Sequence, residues 1–184
     1  IMQASMTFEE AIATTQSLLS QMEAGLLPSE TEAAIAALVK SENGARGFFV
    51  TYLTDSRTLA DSPAPEIVRA LRSSPEIVAE LLVKNLAMSA AMAVTHRRHQ
   101  KTELAQGSDR VRQRTTRLIE LIQLSRVSEI SQSLWDSAAT GEGSYKAFLQ
   151  RWGYDAEQRQ VICQALAEVI DQQSLPQEVT NLTL

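Results

Sequence analysis

The sequence contains a single cysteine, Cys163, among its 184 residues. One thiol cannot form a disulfide within the chain, and it cannot supply a cysteine cluster for a metal. Only two histidines are present, and neither has a serine or cysteine close by in sequence that would make a nucleophile and base pair. We therefore predict no cofactor, no metal and no catalytic residue. An enzyme whose site is invisible in the sequence ranks third among the functions considered.

Glycine, proline and alternating β-branched runs are also scarce. Seven glycines and five prolines leave few positions for tight β-turns, and apolar residues recur with helical spacing along most of the chain. The sequence predicts an all-α fold, a bundle of seven or eight helices that forms a single domain over residues 1–184. A glycine-containing linker at residues 140–143 predicts a smaller helical subdomain at residues 144–175.

Charged residues are rare in the longest apolar stretch, residues 77–94. Glu80, Lys84 and Asn85 interrupt it, so it is a poor candidate for a membrane span. If this stretch is a helix, apolar residues lie on nearly every side of it, with alanine and serine between the larger ones. A helix that is apolar all round belongs at the centre of a bundle. We predict a central helix over about residues 75–104 and a cytoplasmic protein with no membrane partner.

Local signals predict other helices. Thr7 and Glu10 have the spacing of a capping box at the start of the first helix. Residues 48–53, Phe-Phe-Val-Thr-Tyr-Leu, suit a strand or a buried helix. We favour the helix, because the neighbouring segments are helical and a lone strand would have no partner.

Charge is divided along the chain in a way that the net value of −5 conceals. Residues 1–95 carry six Lys/Arg against eleven Asp/Glu, a net of −5. Residues 96–126 carry eight against three, a net of +5, and residues 127–184 carry three against eight, again −5. Such a basic segment between acidic flanks can create a local positive field that selects an anionic partner.

A predicted turn at residues 106–108 lies in the middle of this basic segment, and Ser108 would begin the next helix. Cations at the end of the central helix suit its dipole, whereas arginines in the first two turns of the next helix do not. An anion that docks there would explain them. The predicted anion-binding or partner-binding residues are Arg97, Arg98, Lys101, Arg110, Arg112, Arg114 and Arg117.

Three interpretations of this surface stay open. Pairing with acidic residues of the same chain, such as Glu103 or Asp109, would leave a solvated tip without a partner. An acidic protein partner is the functional interpretation that we favour, and it makes the chain a non-catalytic helical adaptor or regulatory module. In that interpretation Arg110, Arg114 and Arg117, which share one helical face at i, i+4 and i+7, lead the contact.

Nucleic acid or another polyanion is the alternative partner for the same surface. It ranks lower because the chain is acidic, with a pI of about 5.1, whereas nucleic-acid-binding domains are usually basic. No aromatic residue between Leu86 and Leu134 could stack on bases. A homo-oligomer is a further option, since the acidic flanks of one copy could meet the basic segment of another.

His96, His99 and Glu103 share one helical face, at i, i+3 and i+7, and such a set can in principle hold a metal. Arginines and a lysine crowd the same stretch and would repel a cation. We therefore expect exposed, titrating histidines without a metal.

Two strings of residues carry a resemblance to known proteins. NLAMSAAMAV at residues 85–94 and FLQRWGY at residues 148–154 resemble uncharacterised all-helical proteins of cyanobacteria and plastids. The resemblance implies no activity for any residue of this chain. It implies a location in the cytoplasm or in the plastid stroma.

Overall fold

The computed structural model describes residues 5–174, and all of its regular structure there is helical. Nine α-helices and one short 3-10 turn occur within this range, so the predicted all-α fold is confirmed. The α-helices, numbered α1 to α9 in chain order, are Phe8–Glu23, Pro28–Leu38, Glu42–Thr54, Pro65–Arg72, Pro75–Arg98, Thr102–Ile122, Ser125–Thr140, Lys146–Arg151 and Ala156–Ser174.

The first helix begins with the predicted capping box. The amide of Glu10 donates to the Thr7 hydroxyl at 3.1 Å, and the Thr7 amide donates to the Glu10 carboxylate at 3.4 Å. Two backbone donors that the helix leaves unpaired at its N-terminus are satisfied in this way.

Helix α3 contains the segment that suited either a strand or a helix, and the helical prediction is confirmed. The rings of Phe48 and Tyr52 stack with their centroids 5.1 Å apart, and both side chains are fully buried. Gly47 faces α1 so closely that an added Cβ would lie 2.4 Å from the Cβ of Ala11. The two helices therefore pack with almost no side-chain volume between them at this point.

Helix α5 is the predicted central helix, and it packs against α3, α4, α6, α7 and α9. Most of its apolar length is buried, with alanines at positions 79, 87, 90 and 91 fully enclosed. By length and composition α5 could also span a membrane, but 61% of its most apolar window is buried inside the fold. Burial of this kind is typical of a core helix.

The end of α5 corrects the predicted bounds of the central helix. We expected it to run to about residue 104, but α5 ends at Arg98 and Gln100 adopts a left-handed conformation with φ of 58°. Helix α6 then begins at Thr102. Because the reversal needs only three residues, α5 and α6 form a tight antiparallel helical hairpin.

The predicted turn at residues 106–108 is wrong. Gly107 lies inside α6, which continues without a break from Thr102 to Ile122. A glycine costs a helix only about 1 kcal/mol, whereas α6 buries Leu118, Ile119 and Ile122 against the rest of the bundle. Packing of the whole helix outweighs the local preference of one residue.

The C-terminal helices close the bundle on the side of α5 and α7. Helix α9 packs along both, and the Gln158 side-chain amide donates to the carbonyl of Ala91 at 3.2 Å and to the Thr95 hydroxyl at 2.8 Å. Gly141, in a left-handed conformation, caps the end of α7 within the expected linker at residues 140–143. The predicted subdomain at residues 144–175 ends one residue beyond the described part of the chain.

Replacing Gly47 of α3 and Gly107 of α6 with alanine should have opposite effects on stability. Gly47→Ala should destabilise the protein by about 1–3 kcal/mol, because the new methyl group clashes with α1. Gly107→Ala meets no atom within 4 Å and should stabilise α6 by about 0.5–1 kcal/mol. Urea unfolding of both variants beside the parent measures these differences. A loss of stability in Gly107→Ala would contradict a continuous α6.

The tyrosines should resist ionisation in the folded protein. Burial raises the pKa of Tyr52, Tyr145 and Tyr154, to about 12 for Tyr154, and unfolded tyrosine ionises near pH 10. Raised folded-state pKa values mean that stability is intact below about pH 10 and falls as the pH rises further.

An alkaline titration followed by tyrosinate absorbance and by circular dichroism tests this expectation. Tyrosinate should appear together with loss of helix, whereas the chain unfolded in urea should titrate near pH 10. Full tyrosinate absorbance near pH 10 in a fully helical protein would show the expectation to be wrong.

Candidate functional site

The basic segment, residues 96–126, forms the end of α5, the reversal, the whole of α6 and the first residues of α7. Arg110, Arg112 and Arg114 lie in the third and fourth turns of α6, because this helix begins six residues earlier than predicted. Their positive charges therefore do not oppose the N-terminal dipole, whose effect is confined to the first turn. The dipole of α6 therefore gives no reason to expect a bound anion at these arginines.

Arg114 is a structural residue, with only 3% of its side chain exposed. Its guanidinium donates to the carbonyl oxygens of Leu53 at 3.0 Å, Asp55 at 2.8 Å and Arg57 at 3.1 Å, and to the Asp61 carboxylate at 2.7 Å. We call this arrangement the Arg114 clamp. It caps the C-terminal end of α3, where carbonyl groups lack partners within the helix. Arg114 is thus removed from the predicted partner-binding set.

Two arginines at the end of α5 pair with carboxylates of the same chain. Arg97 binds Asp109 of α6, and Arg98 binds Asp155 at 2.6 Å and Glu157 at 2.7 Å at the start of α9. The hydrogen bonds from the Arg98 guanidinium and from the backbone amide of Gln158 lower the pKa of Asp155 to about 2. Arg98 therefore fastens the end of α5 to α9.

Two arginines further along α6 also have internal partners. Arg112 lies 3.3 Å from Glu168 of α9, and Arg117 lies 3.5 Å from Glu120 on its own helix. Both pairs are partly exposed, and exposed pairs of this kind contribute little to stability. The Arg117 side chain, more than half exposed, stays accessible to a partner.

Lys101 and Arg110 are the two members of the predicted set that hold no ion pair with any residue the structure describes. Both are exposed. Arg110 still acts at a distance on Asp61, whose pKa is lowered by the hydrogen bond from Arg114 and, to a smaller extent, by the Arg110 charge. No set of three metal-binding side chains occurs around His96 and His99 or elsewhere in the described part of the chain.

A groove of about 340 Å³ opens between the end of α3 and the α5–α6 hairpin. Apolar side chains of Met88, Met92, Leu104 and Val111 line it, and Arg110 lies at its wall. Its remaining lining residues, mostly polar, are Leu53, Thr54, Asn85, Ser89, His96, Glu103, Gly107 and Ser108. We call this cavity the α3–α6 groove.

Sequence reasoning missed this groove. Residues 88, 92 and 96 lie at i, i+4 and i+8 on α5 and are half-buried. Because nearly all of α5 is apolar, the sequence does not distinguish this row from the face that packs in the core. The exposed Leu104 was equally hidden, because the expected turn placed it near the end of the central helix instead of in the first turn of α6.

Cys163 is half-buried on α9, with its thiol 3.8 Å from the carbonyl oxygen of Trp135. Burial raises the pKa of this thiol. Since the thiolate is the reactive form of cysteine, Cys163 is a poor nucleophile at neutral pH.

Comparison with known proteins places the chain in a family. A family model described as "Uncharacterised conserved protein UCP020893" matches residues 7–169. The chain belongs to this family. The match includes the whole α5–α6 hairpin and every residue of the α3–α6 groove, so both are parts of the family domain. No curated protein and no solved structure matches the chain.

Substitution of Arg114 should destabilise the family domain far more than substitution of Arg117. Arg114→Gln leaves the carbonyl groups of Leu53, Asp55 and Arg57, in and just after the end of α3, without their donor. The free energy of unfolding should therefore fall by about 2–4 kcal/mol. Arg117→Gln removes one exposed pair and should change it by less than about 0.5 kcal/mol. Chemical denaturation of both variants measures the contrast. Equal stability of the two would contradict the clamp.

Proposed function

We propose that this protein is a non-catalytic helical adaptor or regulatory module that docks an acidic protein partner through the α5–α6 hairpin. The observation that supports the proposal is the pair of exposed cations, Lys101 and Arg110, that hold no ion pair with the described residues. The other arginines of the hairpin are paired within the chain, and these are Arg97, Arg98, Arg112, Arg114 and Arg117. Exposed Arg117 would contribute at the edge of the same surface.

An acidic protein suits this surface better than a nucleic acid does. Tight binding to a phosphate backbone typically uses several cations at once, and the internal pairs leave few on this hairpin. The net charge of −5 also differs from the basic charge that is usual for nucleic-acid-binding domains. Nucleic acid or another polyanion remains the second candidate, supported by the same two cations, and an enzyme remains the third.

The proposal also includes a cellular location and a possible oligomeric form. We propose a cytoplasmic protein, or a stromal one if the resemblance to proteins of cyanobacteria and plastids extends to the whole family. An acidic flank of a second copy would also satisfy Lys101 and Arg110, so a homo-oligomer is one form that the acidic partner could take.

Binding to two polyanions of equal charge tests the proposal. Fluorescence anisotropy compares a labelled poly-glutamate peptide with a labelled single-stranded RNA at low and at physiological salt. We expect the peptide to bind more tightly. Lys101→Gln with Arg110→Gln should raise its Kd by roughly five- to thirtyfold, because each exposed charge contributes about 0.5–1 kcal/mol.

The matched control is Lys40→Gln with Arg72→Gln. These two residues are also exposed and also lack an ion pair with any described residue, and their removal changes the net charge by the same amount. The control should leave the Kd unchanged. Tighter binding of RNA would favour the second candidate, and absence of binding to either polyanion would show that the hairpin is not an anion-docking surface.

A further inference from the structure

The α3–α6 groove continues an interface that the fold already uses. Helix α3 packs against both α5 and α6, and it ends at Thr54, where the Arg114 clamp holds its last carbonyl groups. Helix α6 continues from Arg114 back to Thr102, and the last residues of α3, Leu53 and Thr54, line the groove together with α6 residues between 103 and 111. One helix therefore occupies part of the cleft between α5 and α6, and the rest of the cleft lies open.

The other side of the hairpin is covered. Helix α9 holds α5 through Gln158 and Arg98, and it holds α6 through Arg112. The open side is consequently the α3 side, where the apolar lining meets solvent. Leu104 is 52% exposed there, although its position in the first turn of α6 does not require an apolar residue.

The lining suits the apolar face of a helix. Met88 and Met92 are one turn apart on α5, and methionine side chains adapt to the shape of a partner. The lining residues of α6, numbered 103 to 111, extend over about 12 Å at 1.5 Å per residue. This length accommodates two turns of a docked helix, with anchors at i, i+3 or i+4, and i+7.

The charges at the wall determine how such a helix would lie. Arg110 lines the groove without an ion pair among the described residues, and it attracts a carboxylate. Glu103 lines the same groove two turns earlier on α6 and repels one. A docked helix would therefore carry Asp or Glu at the end near Arg110 and a neutral or basic residue at the end near Glu103.

We propose that the α3–α6 groove binds an amphipathic acidic helix of the partner protein, with apolar anchors against Met88, Met92 and Leu104 and a carboxylate on Arg110. This inference rests on the proposed function, because it names the segment of the acidic partner that the hairpin receives. Binding to the groove buries Leu104, which electrostatic attraction to the hairpin alone would leave exposed.

Methyl NMR of the methionines tests the inference directly. The probe is a designed peptide of about 15 residues with leucines at helical i, i+3, i+4 and i+7 spacing and glutamates on the opposite face. A second peptide has the same composition with the leucines placed at every other position. The helical peptide should shift the methyl signals of Met88 and Met92, assigned with Met88→Leu and Met92→Leu variants. The signals of Met6 and Met22, which pack against the core outside the groove, should not move.

Two exposed leucines provide the matched variants. Leu104→Gln removes an apolar anchor and should weaken binding of the helical peptide by roughly tenfold. Leu27, 60% exposed at the start of α2, lies outside the groove, so Leu27→Gln should leave the affinity as in the parent. Both variants should fold, since neither leucine is buried.

Each other outcome overturns the groove proposal alone or both proposals. Equal binding of the two peptides, with the Met88 and Met92 signals unmoved and with dependence on Lys101 and Arg110 retained, would overturn the groove and leave the acidic-partner function intact. No binding of the helical peptide beside clear binding of poly-glutamate would have the same meaning. Failure of all three acidic peptides to bind would overturn both proposals.

Discussion

The Arg114 clamp is the interaction on which the shape of this surface depends. One buried guanidinium gathers three carbonyl oxygens and the Asp61 carboxylate, and it thereby fixes where α3 stops against α6. Charge-assisted hydrogen bonds of this kind are stronger than neutral ones, and a planar arginine can make several at once, which a lysine cannot. Helix α3 ends at this clamp, and its last residues, Leu53 and Thr54, form part of the wall of the α3–α6 groove.

Several arginines of the basic segment join one helix to another. Arg97, Arg98 and Arg112 each reach a carboxylate on another helix, so the alternation of charge along the chain becomes contact between α5, α6 and α9. The local positive field expected from the sequence is correspondingly reduced. Within the described part of this segment, the cations that are exposed and hold no ion pair are Lys101 and Arg110. Their electrostatic field should depend on ionic strength, because exposed charges are screened by salt.

The helical spacing of apolar residues predicted the fold. The candidate site depends on the position of one chain reversal and on contacts between distant residues, and apolar spacing predicts neither. The apolar pattern of α5 and the capping box at Thr7 are local, and both were recognised. The reversal at Gln100 was missed, because a glutamine in a left-handed conformation has no sequence signature, and Gly107 two turns later offered a more obvious turn. That misplaced turn hid the exposure of Leu104. The sequence did not predict the burial of Arg114 either, since its partners lie more than fifty residues earlier in the chain.

Gly107 links the stability of α6 to the open volume of the groove beside it. The residue lines the cavity and contributes no side chain to it, at a cost to the helix of about 1 kcal/mol relative to alanine. Each larger side chain at this position would strengthen the helix and at the same time fill the space next to Arg110 and Leu104. The side chain at position 107 therefore controls the open volume of the groove. The size of one residue there sets how much of the hairpin a docked chain can reach, without any change to the residues that would hold it.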